Sequence, residues 1–120
     1  MADSKIQKPL PNRNWETIIF GTNLTTTETI YNTYNSRKFS DYDLLIFTIG
    51  ASTDDIRQTH VIQSWWWING RKILMTVMHG GNLENKCSIN ITYNSDTSIK
   101  AFVGNSGVVN YLQVFGGFVR

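Results

Sequence analysis

The spacing of apolar and polar residues predicts short β-strands along the whole chain. The longest apolar run, residues 42–49, is interrupted only by Asp43 and Thr48 and is bounded by Ser40-Asp41 and Gly50-Ala51-Ser52. It lacks the regularly spaced polar residues of an amphipathic helix. The run therefore predicts a strand that is buried on both faces at the centre of a sheet, with shorter, half-buried strands around it.

A second pattern predicts a strand with one buried face. Residues 86–93 alternate strictly, with Cys87, Ile89, Ile91 and Tyr93 on the apolar side. Such alternation indicates one face on a core and the other in water. Cys87 is then expected to be a small core residue. As the single cysteine of the chain, it also excludes an internal disulfide.

A hairpin is predicted between strands at residues 60–68 and 71–79, because Asn69-Gly70 separates them. Asn-Gly suits the type I′ turn, which requires positive φ at both central residues. Residues 50–59 are predicted to be a polar loop. The remaining strands are predicted at residues 15–20, 29–31, 98–103 and 108–115. About eight short strands with frequent turn signals favour an all-β, antiparallel, jelly-roll-like β-sandwich.

Length and charge restrict the organisation and the partners. The 120 residues predict one domain over residues 15–120, preceded by a linker or stalk stump at residues 1–14. The net charge of +2 is too small to imply a nucleic-acid or membrane partner. The basic pairs at residues 37–38 and 71–72 lie near aromatics, which is an alternative signal for single-stranded nucleic acid, but nearby aspartates offset them. No apolar stretch predicts membrane insertion, and the N-terminus lacks the apolar core of a signal peptide.

Catalytic and metal motifs are weak. The chain has no Gly-x-Ser-x-Gly, no phosphate-binding loop and no His-Glu-x-x-His. His60 and His79 flank the predicted hairpin, so they would face each other, and Cys87 is the one soft candidate for a third zinc ligand. Two or three such residues leave metal binding as an alternative only. We expect no catalytic residues, no metal and no cofactor.

Trp65-Trp66-Trp67 is the least ordinary feature of the sequence. In a strand, Trp65 and Trp67 share one face and Trp66 takes the other. Two interpretations remain open. Either the strand is buried on both faces, or an exposed indole provides a flat platform for a sugar ring or a protein partner.

Two loops are predicted to form a ligand site. Residues 52–58 and 79–85 lie at the end of the predicted hairpin opposite Asn69-Gly70, and loops at one end of a sandwich commonly carry binding residues. Their carboxylates, amides and guanidinium suit sugar hydroxyls, and a tryptophan supplies the apolar platform. The predicted ligand-binding residues are Asp54, Asp55, Arg57, His79, Asn82, Glu84, Trp65, Trp66 and Trp67.

Four stretches carry a resemblance to a known family. They are residues 15–21, the Phe-Ser-Asp-Tyr-Asp-Leu-Leu-Ile-Phe of residues 39–47, residues 93–99, and the ending Tyr-Leu-Gln-Val-Phe-Gly-Gly-Phe-Val-Arg. The sequence resembles the C-terminal tip domains of bacteriophage tail fibre and receptor-binding proteins, including prophage-encoded virion structural proteins.

The resemblance implies a β-sandwich protomer in a trimer around the fibre axis, joined through residues 1–14 to an upstream stalk. It further implies non-catalytic binding of a host cell-surface saccharide or protein. Such a domain is made in the bacterial cytoplasm and acts extracellularly, at the tail fibre or baseplate tip of the virion. Large apolar side chains at residues 65–67, Phe115 and Phe118 also favour a homotrimer. The alternatives are a structural trimerisation or baseplate module and a small glycan-processing enzyme.

Overall fold

Two four-stranded antiparallel sheets make up the described part of the fold. The computed structural model describes residues 15–78, 86–104 and 109–119. Within them the strands are β1 (Trp15–Asn23), β2 (Thr29–Asn32), β3 (Leu44–Ser52), β4 (Asp55–Gln63), β5 (Lys72–Met78), β6 (Lys86–Ser95), β7 (Ser98–Val103) and β8 (Tyr111–Gly117). Sheet A has the order β1-β8-β3-β4 and sheet B the order β2-β7-β6-β5. The predicted all-β antiparallel sandwich is confirmed.

Strand β3 is internal in sheet A, between β8 and β4. Its inward side chains Leu45, Phe47 and Ile49 are fully buried, and Thr48 on the other face is also buried. The prediction of a central strand is therefore confirmed. The strand begins at Leu44, two residues later than predicted, because Phe39–Asp41 forms a 3-10 turn that leads into it.

Sheet B supplies the opposite wall of the core. Strand β6 buries Cys87, Ile89 and Ile91 and turns the intervening side chains outward, as its alternation predicted. Each fully buried aliphatic side chain contributes about 1.5–3 kcal/mol to the burial free energy. Cys87 is a core residue, as expected: its Sγ lies 3.4 Å from the carbonyl oxygen of Val109, and burial raises the pKa of its thiol.

The predicted hairpin around Asn69-Gly70 is wrong. Strand β4 pairs with β3 in sheet A, whereas β5 pairs with β6 in sheet B. The Arg71 N–H donates to the Ile68 carbonyl at 3.0 Å, so a turn does form. Of its two central residues, however, only Gly70 has positive φ (86°). One positive φ at the third position is the requirement of a type II turn, not of type I′. The turn therefore belongs to a connection that carries the chain from one sheet to the other.

The actual hairpin lies where a loop was predicted. Ser52 pairs with Asp55, so Thr53 and Asp54 form a two-residue turn between β3 and β4. The register shifts on both sides of Gly50, and a Cβ there would lie 1.8 Å from the Asp55 carbonyl oxygen. The bulge allows this polar segment to pair as an edge strand, and its polarity reflects the exposure of an edge rather than a loop.

Candidate functional site

The tryptophan triplet lies in the connection between the two sheets, not in a strand. Ser64–Trp66 forms a 3-10 turn, closed by a 3.0 Å hydrogen bond from the Trp67 N–H to the Ser64 carbonyl. A 3-10 turn has three residues per turn, so successive side chains point in three directions. The predicted strand geometry, with Trp65 and Trp67 on one face, is therefore wrong, and each indole has its own environment.

Trp67 is the core member of the triplet. It is 2% exposed, and its ring centroid lies 5.2 Å from that of Phe47, 5.8 Å from Tyr93 and 6.4 Å from Phe39. These rings come from sheet A, sheet B and the turn before β3. Its indole N–H is buried and has no hydrogen-bond acceptor among the described residues. Trp67 thus fixes the position of the whole turn against both sheets.

Trp66 is half-buried and its ring is already engaged. It stacks on Trp67 with 6.2 Å between ring centroids and 23° between planes. The Arg71 guanidinium carbon lies 4.9 Å from the Trp66 centroid, within the range of a cation–π contact. Trp66 therefore supports its neighbours and offers less free ring surface than the prediction of a stacking role assumed.

Trp65 is the exposed member. It is 69% exposed, yet its indole N–H donates to Oε1 of Gln63, which restrains the ring. Two open clefts adjoin it. The His60 cleft, about 320 Å³, is lined by His60, Ile62, Gln63, Trp65 and Trp66. The Asp96 cleft, about 440 Å³, is lined by Ser40, Ser64, Trp65, Trp67, Ile68, Tyr93 and Asp96.

The His60 cleft exists because β4 is an edge strand. His60 pairs with Phe47 and Ile62 pairs with Leu45, so both point to the inner side of sheet A. Directly opposed residues of an antiparallel pair share a face. At the end of the sheet this inner side is only partly covered, which leaves His60 exposed and Ile62 half-buried. An apolar floor with an imidazole and an amide at its rim results.

The Asp96 cleft combines an apolar lining with hydroxyl groups and one carboxylate. Asp96, in the turn between β6 and β7, accepts hydrogen bonds from the Ser40 N–H (3.0 Å) and hydroxyl (2.5 Å). A carboxylate has about four acceptor positions, so it retains capacity for further donors. Burial, and next the charge of Asp96, raise the pKa of the Tyr93 phenol.

Hydrogen bonds beneath the turn hold it in place. The Ser64 N–H donates to the Asp43 carbonyl at 2.9 Å, and the Ser64 hydroxyl donates to the Tyr42 carbonyl. The Tyr42 hydroxyl donates to Glu16 Oε1 at 2.7 Å, and burial together with this bond raises the pKa of Tyr42 to about 12. Side chains supported in this way suit a pre-organised binding surface.

The predicted site residues do not gather at one place. Asp54 and Asp55 lie at the β3–β4 hairpin, whereas the tryptophans follow the opposite end of β4, roughly 25 Å away for a nine-residue strand. Arg57 contacts Asp55 through two 2.8 Å hydrogen bonds, and this contact lowers the pKa of Asp55. The structure thus separates these residues from Trp65–Trp67. His79, Asn82 and Glu84 lie outside the described residues.

The sequence did not indicate the polar residues around Trp65. Gln63, Ser40, Tyr93 and Asp96 come from four separate segments. The triplet itself was the one available signal, since three adjacent tryptophans are difficult to bury together. The residues around the triplet depend on the connection from sheet A to sheet B, and Asn69-Gly70 predicted a hairpin there instead.

The geometry also bears on metal and membrane alternatives. In the described ranges no cluster of three or more histidine, cysteine, aspartate or glutamate residues is arranged to hold a metal ion. The hairpin that was predicted to place the two histidines opposite each other does not form, and His60 lies on β4 of sheet A whereas Cys87 lies on β6 of sheet B. Nor does the described part of the chain contain a helix long and apolar enough to cross a membrane.

Comparison with protein-family models, curated proteins and solved structures found no match. The geometry around Trp65 and the sequence resemblance are therefore the two features that bear on function.

Proposed function

We propose that this chain is a non-catalytic saccharide-binding domain with Trp65 as its platform, and that it serves as the receptor-binding tip of a bacteriophage tail fibre. The observation that carries the proposal is the position of Trp65: 69% exposed, restrained by Gln63 and flanked by two clefts. An indole presents an apolar face on which the C–H face of a sugar ring stacks. Nearby hydroxyls, amide and carboxylate then bind the sugar hydroxyls.

Several elements of the proposal come from the sequence resemblance. They are attachment to a stalk through residues 1–14, a homotrimer, action at the virion tip, and a saccharide or protein receptor on the host cell. Binding without hydrolysis is favoured by the composition of the clefts. Among the described residues that line them, Asp96 is the one carboxylate, whereas glycoside hydrolysis usually requires a pair. An enzyme is therefore the less supported alternative.

The test compares two variants that remove equally exposed apolar side chains. Leu74, on β5, is 67% exposed and lines neither cleft. We expect fluorescently labelled protein to stain some bacterial strains and not others. Trp65→Ala is expected to weaken the affinity for stained cells about tenfold or more, corresponding to about 1.4 kcal/mol of stacking, and Leu74→Ala to leave that affinity unchanged.

Three results would contradict this assignment in different ways. Full staining by Trp65→Ala would remove the platform role. Loss of staining in the double variant Asp55→Ala/Arg57→Ala, with Trp65→Ala unaffected, would place the site at the hairpin. Absence of staining on every strain would favour a structural module.

A structural trimerisation module is the second candidate, and one surface favours it. Val61, Ile46 and Phe115 lie side by side across β4, β3 and β8 on the outer face of sheet A. Val61 is 54% exposed. The solvent-facing side of an antiparallel sheet is usually polar, so an apolar row there suits a contact between subunits.

The homotrimer that we propose predicts a mass of three chains in light scattering at micromolar concentration. Val61→Lys is expected to lower that mass, since a buried unpaired charge is costly at an interface. A wild-type monomer would contradict the trimer and leave the saccharide site as a separate question.

A further inference from the structure

Trp65 separates two clefts that differ in chemical character. The His60 cleft combines an apolar floor with an imidazole and an amide. The Asp96 cleft also has apolar walls, from Trp67 and Ile68, but adds three hydroxyl-bearing side chains and one carboxylate. Trp65 lines both. A ligand that occupies both clefts would therefore have Trp65 as a common contact.

Each cleft has the volume of a small-molecule site. Each, at about 320 and 440 Å³, lies within the range of roughly 300–1,000 Å³ in which proteins bind small molecules. The polar groups are divided between the two clefts, His60 and Gln63 in one and Ser40, Tyr93 and Asp96 in the other. Two or more linked sugars can occupy both.

The charges at the clefts distinguish between classes of saccharide. No Lys or Arg is among their described lining residues, and the nearby Arg71 lies over Trp66. An anionic sugar would therefore meet the Asp96 carboxylate without a lining cation to offset the repulsion. A neutral sugar instead donates its hydroxyls to a carboxylate that Ser40 already holds in place.

From these observations we propose that the site takes an uncharged oligosaccharide of at least two sugar units that spans Trp65. One unit donates hydroxyls to Asp96, and a neighbouring unit lies in the His60 cleft. This inference rests on the proposed saccharide-binding function and deepens it.

The test uses a glycan array of defined probes. It carries glucose, galactose, rhamnose and N-acetylglucosamine as monosaccharides and as neutral trisaccharides, with trigalacturonate as the anionic probe. We expect a neutral trisaccharide to bind at least tenfold more tightly than its monosaccharide and than trigalacturonate. Asp96→Asn, which keeps an acceptor for Ser40, and His60→Ala are each expected to weaken the trisaccharide several-fold. Where Asp96→Asn lowers the melting temperature, Tyr93→Phe removes a hydroxyl from the same cleft instead.

The possible outcomes distinguish failure of this inference from failure of the proposed saccharide-binding function. Three results would overturn the inference. They are a monosaccharide that binds as tightly as its trisaccharide, tighter binding of trigalacturonate than of the neutral trisaccharides, and unaltered trisaccharide binding by both cleft variants. If Trp65→Ala still abolishes that binding, the proposed function stands. An array without any binder also overturns the inference, and strain staining by wild type but not by Trp65→Ala would still support a Trp65-dependent function.

Discussion

Trp67→Ala is expected to lower the free energy of unfolding by about 3–5 kcal/mol, the usual cost of removing a large buried aromatic side chain. Trp67 fills the space between Phe39, Phe47 and Tyr93, which come from the turn before β3, from sheet A and from sheet B. Its loss leaves a cavity at the junction of the two sheets. The substitution also removes an indole N–H without a described acceptor, which offsets part of the loss.

Urea denaturation measures this change, and the neighbouring tryptophan provides the control. Trp65→Ala removes the same side chain from the same turn, but from a site that is 69% exposed. We expect it to change the free energy of unfolding by less than about 1 kcal/mol, as is usual for surface substitutions. Equal destabilisation by the two variants would show that Trp67 is not the anchor of the turn.

Gly50→Ala is expected to destabilise the protein by about 2–3 kcal/mol, at the upper part of the range for overpacking. A Cβ at this position would lie 1.8 Å from the Asp55 carbonyl oxygen and 2.8 Å from the Ile56 Cα. Both atoms belong to the backbone of the paired strand, so they cannot move aside as a flexible side chain can. The bulge at the β3–β4 hairpin would have to open.

Gly70 provides a control that distinguishes the steric cost of an added Cβ from the cost of an unfavourable backbone conformation. A Cβ at Gly70 meets nothing within 4 Å, but φ is +86°. Gly70→Ala is therefore expected to cost about 1 kcal/mol through backbone strain alone. Thermal or urea unfolding that ranks Gly70→Ala as the more damaging variant would contradict the packing described for the hairpin.

The fold was predictable wherever burial determines the residue pattern. Strand β6 has one face on the core, so its alternation is visible in the sequence, and β3 is central, so its apolar run is visible too. Strand β4 was only partly predictable. As an edge strand it is largely exposed and polar over residues 55–60, and such a segment is indistinguishable from a loop by hydrophobicity alone.

The pairing of strands was less predictable than their existence. Asn69-Gly70 correctly marked a turn, but a local turn signal does not specify which strands it joins. Strand β4 already forms a hairpin with β3 in sheet A. The strand after Asn69-Gly70, β5, therefore pairs in sheet B instead of with β4.

The candidate site was predictable in one component only. The triplet left an exposed indole as one of two interpretations, and Trp65 has that exposure. The polar groups around it come from Ser40, Tyr93 and Asp96, which are distant in sequence and meet only through the sandwich. By contrast, the Asp55–Arg57 contact follows from spacing, since residues two apart share a face of a strand. That spacing favours an internal ion pair over two free ligand-binding groups.

The most direct test of the Trp65 platform is a two-dimensional ¹H–¹⁵N NMR titration that follows the indole N–H signals. The chain has four tryptophans, and the Trp65 signal is the one that Trp65→Phe removes. The titrant is surface polysaccharide extracted from a strain that the wild-type protein stains. The Trp65 signal is expected to shift strongly and saturably, while that of Trp15, outside both clefts, stays in place. Saturable binding that leaves the Trp65 signal unmoved would contradict the assignment of the platform.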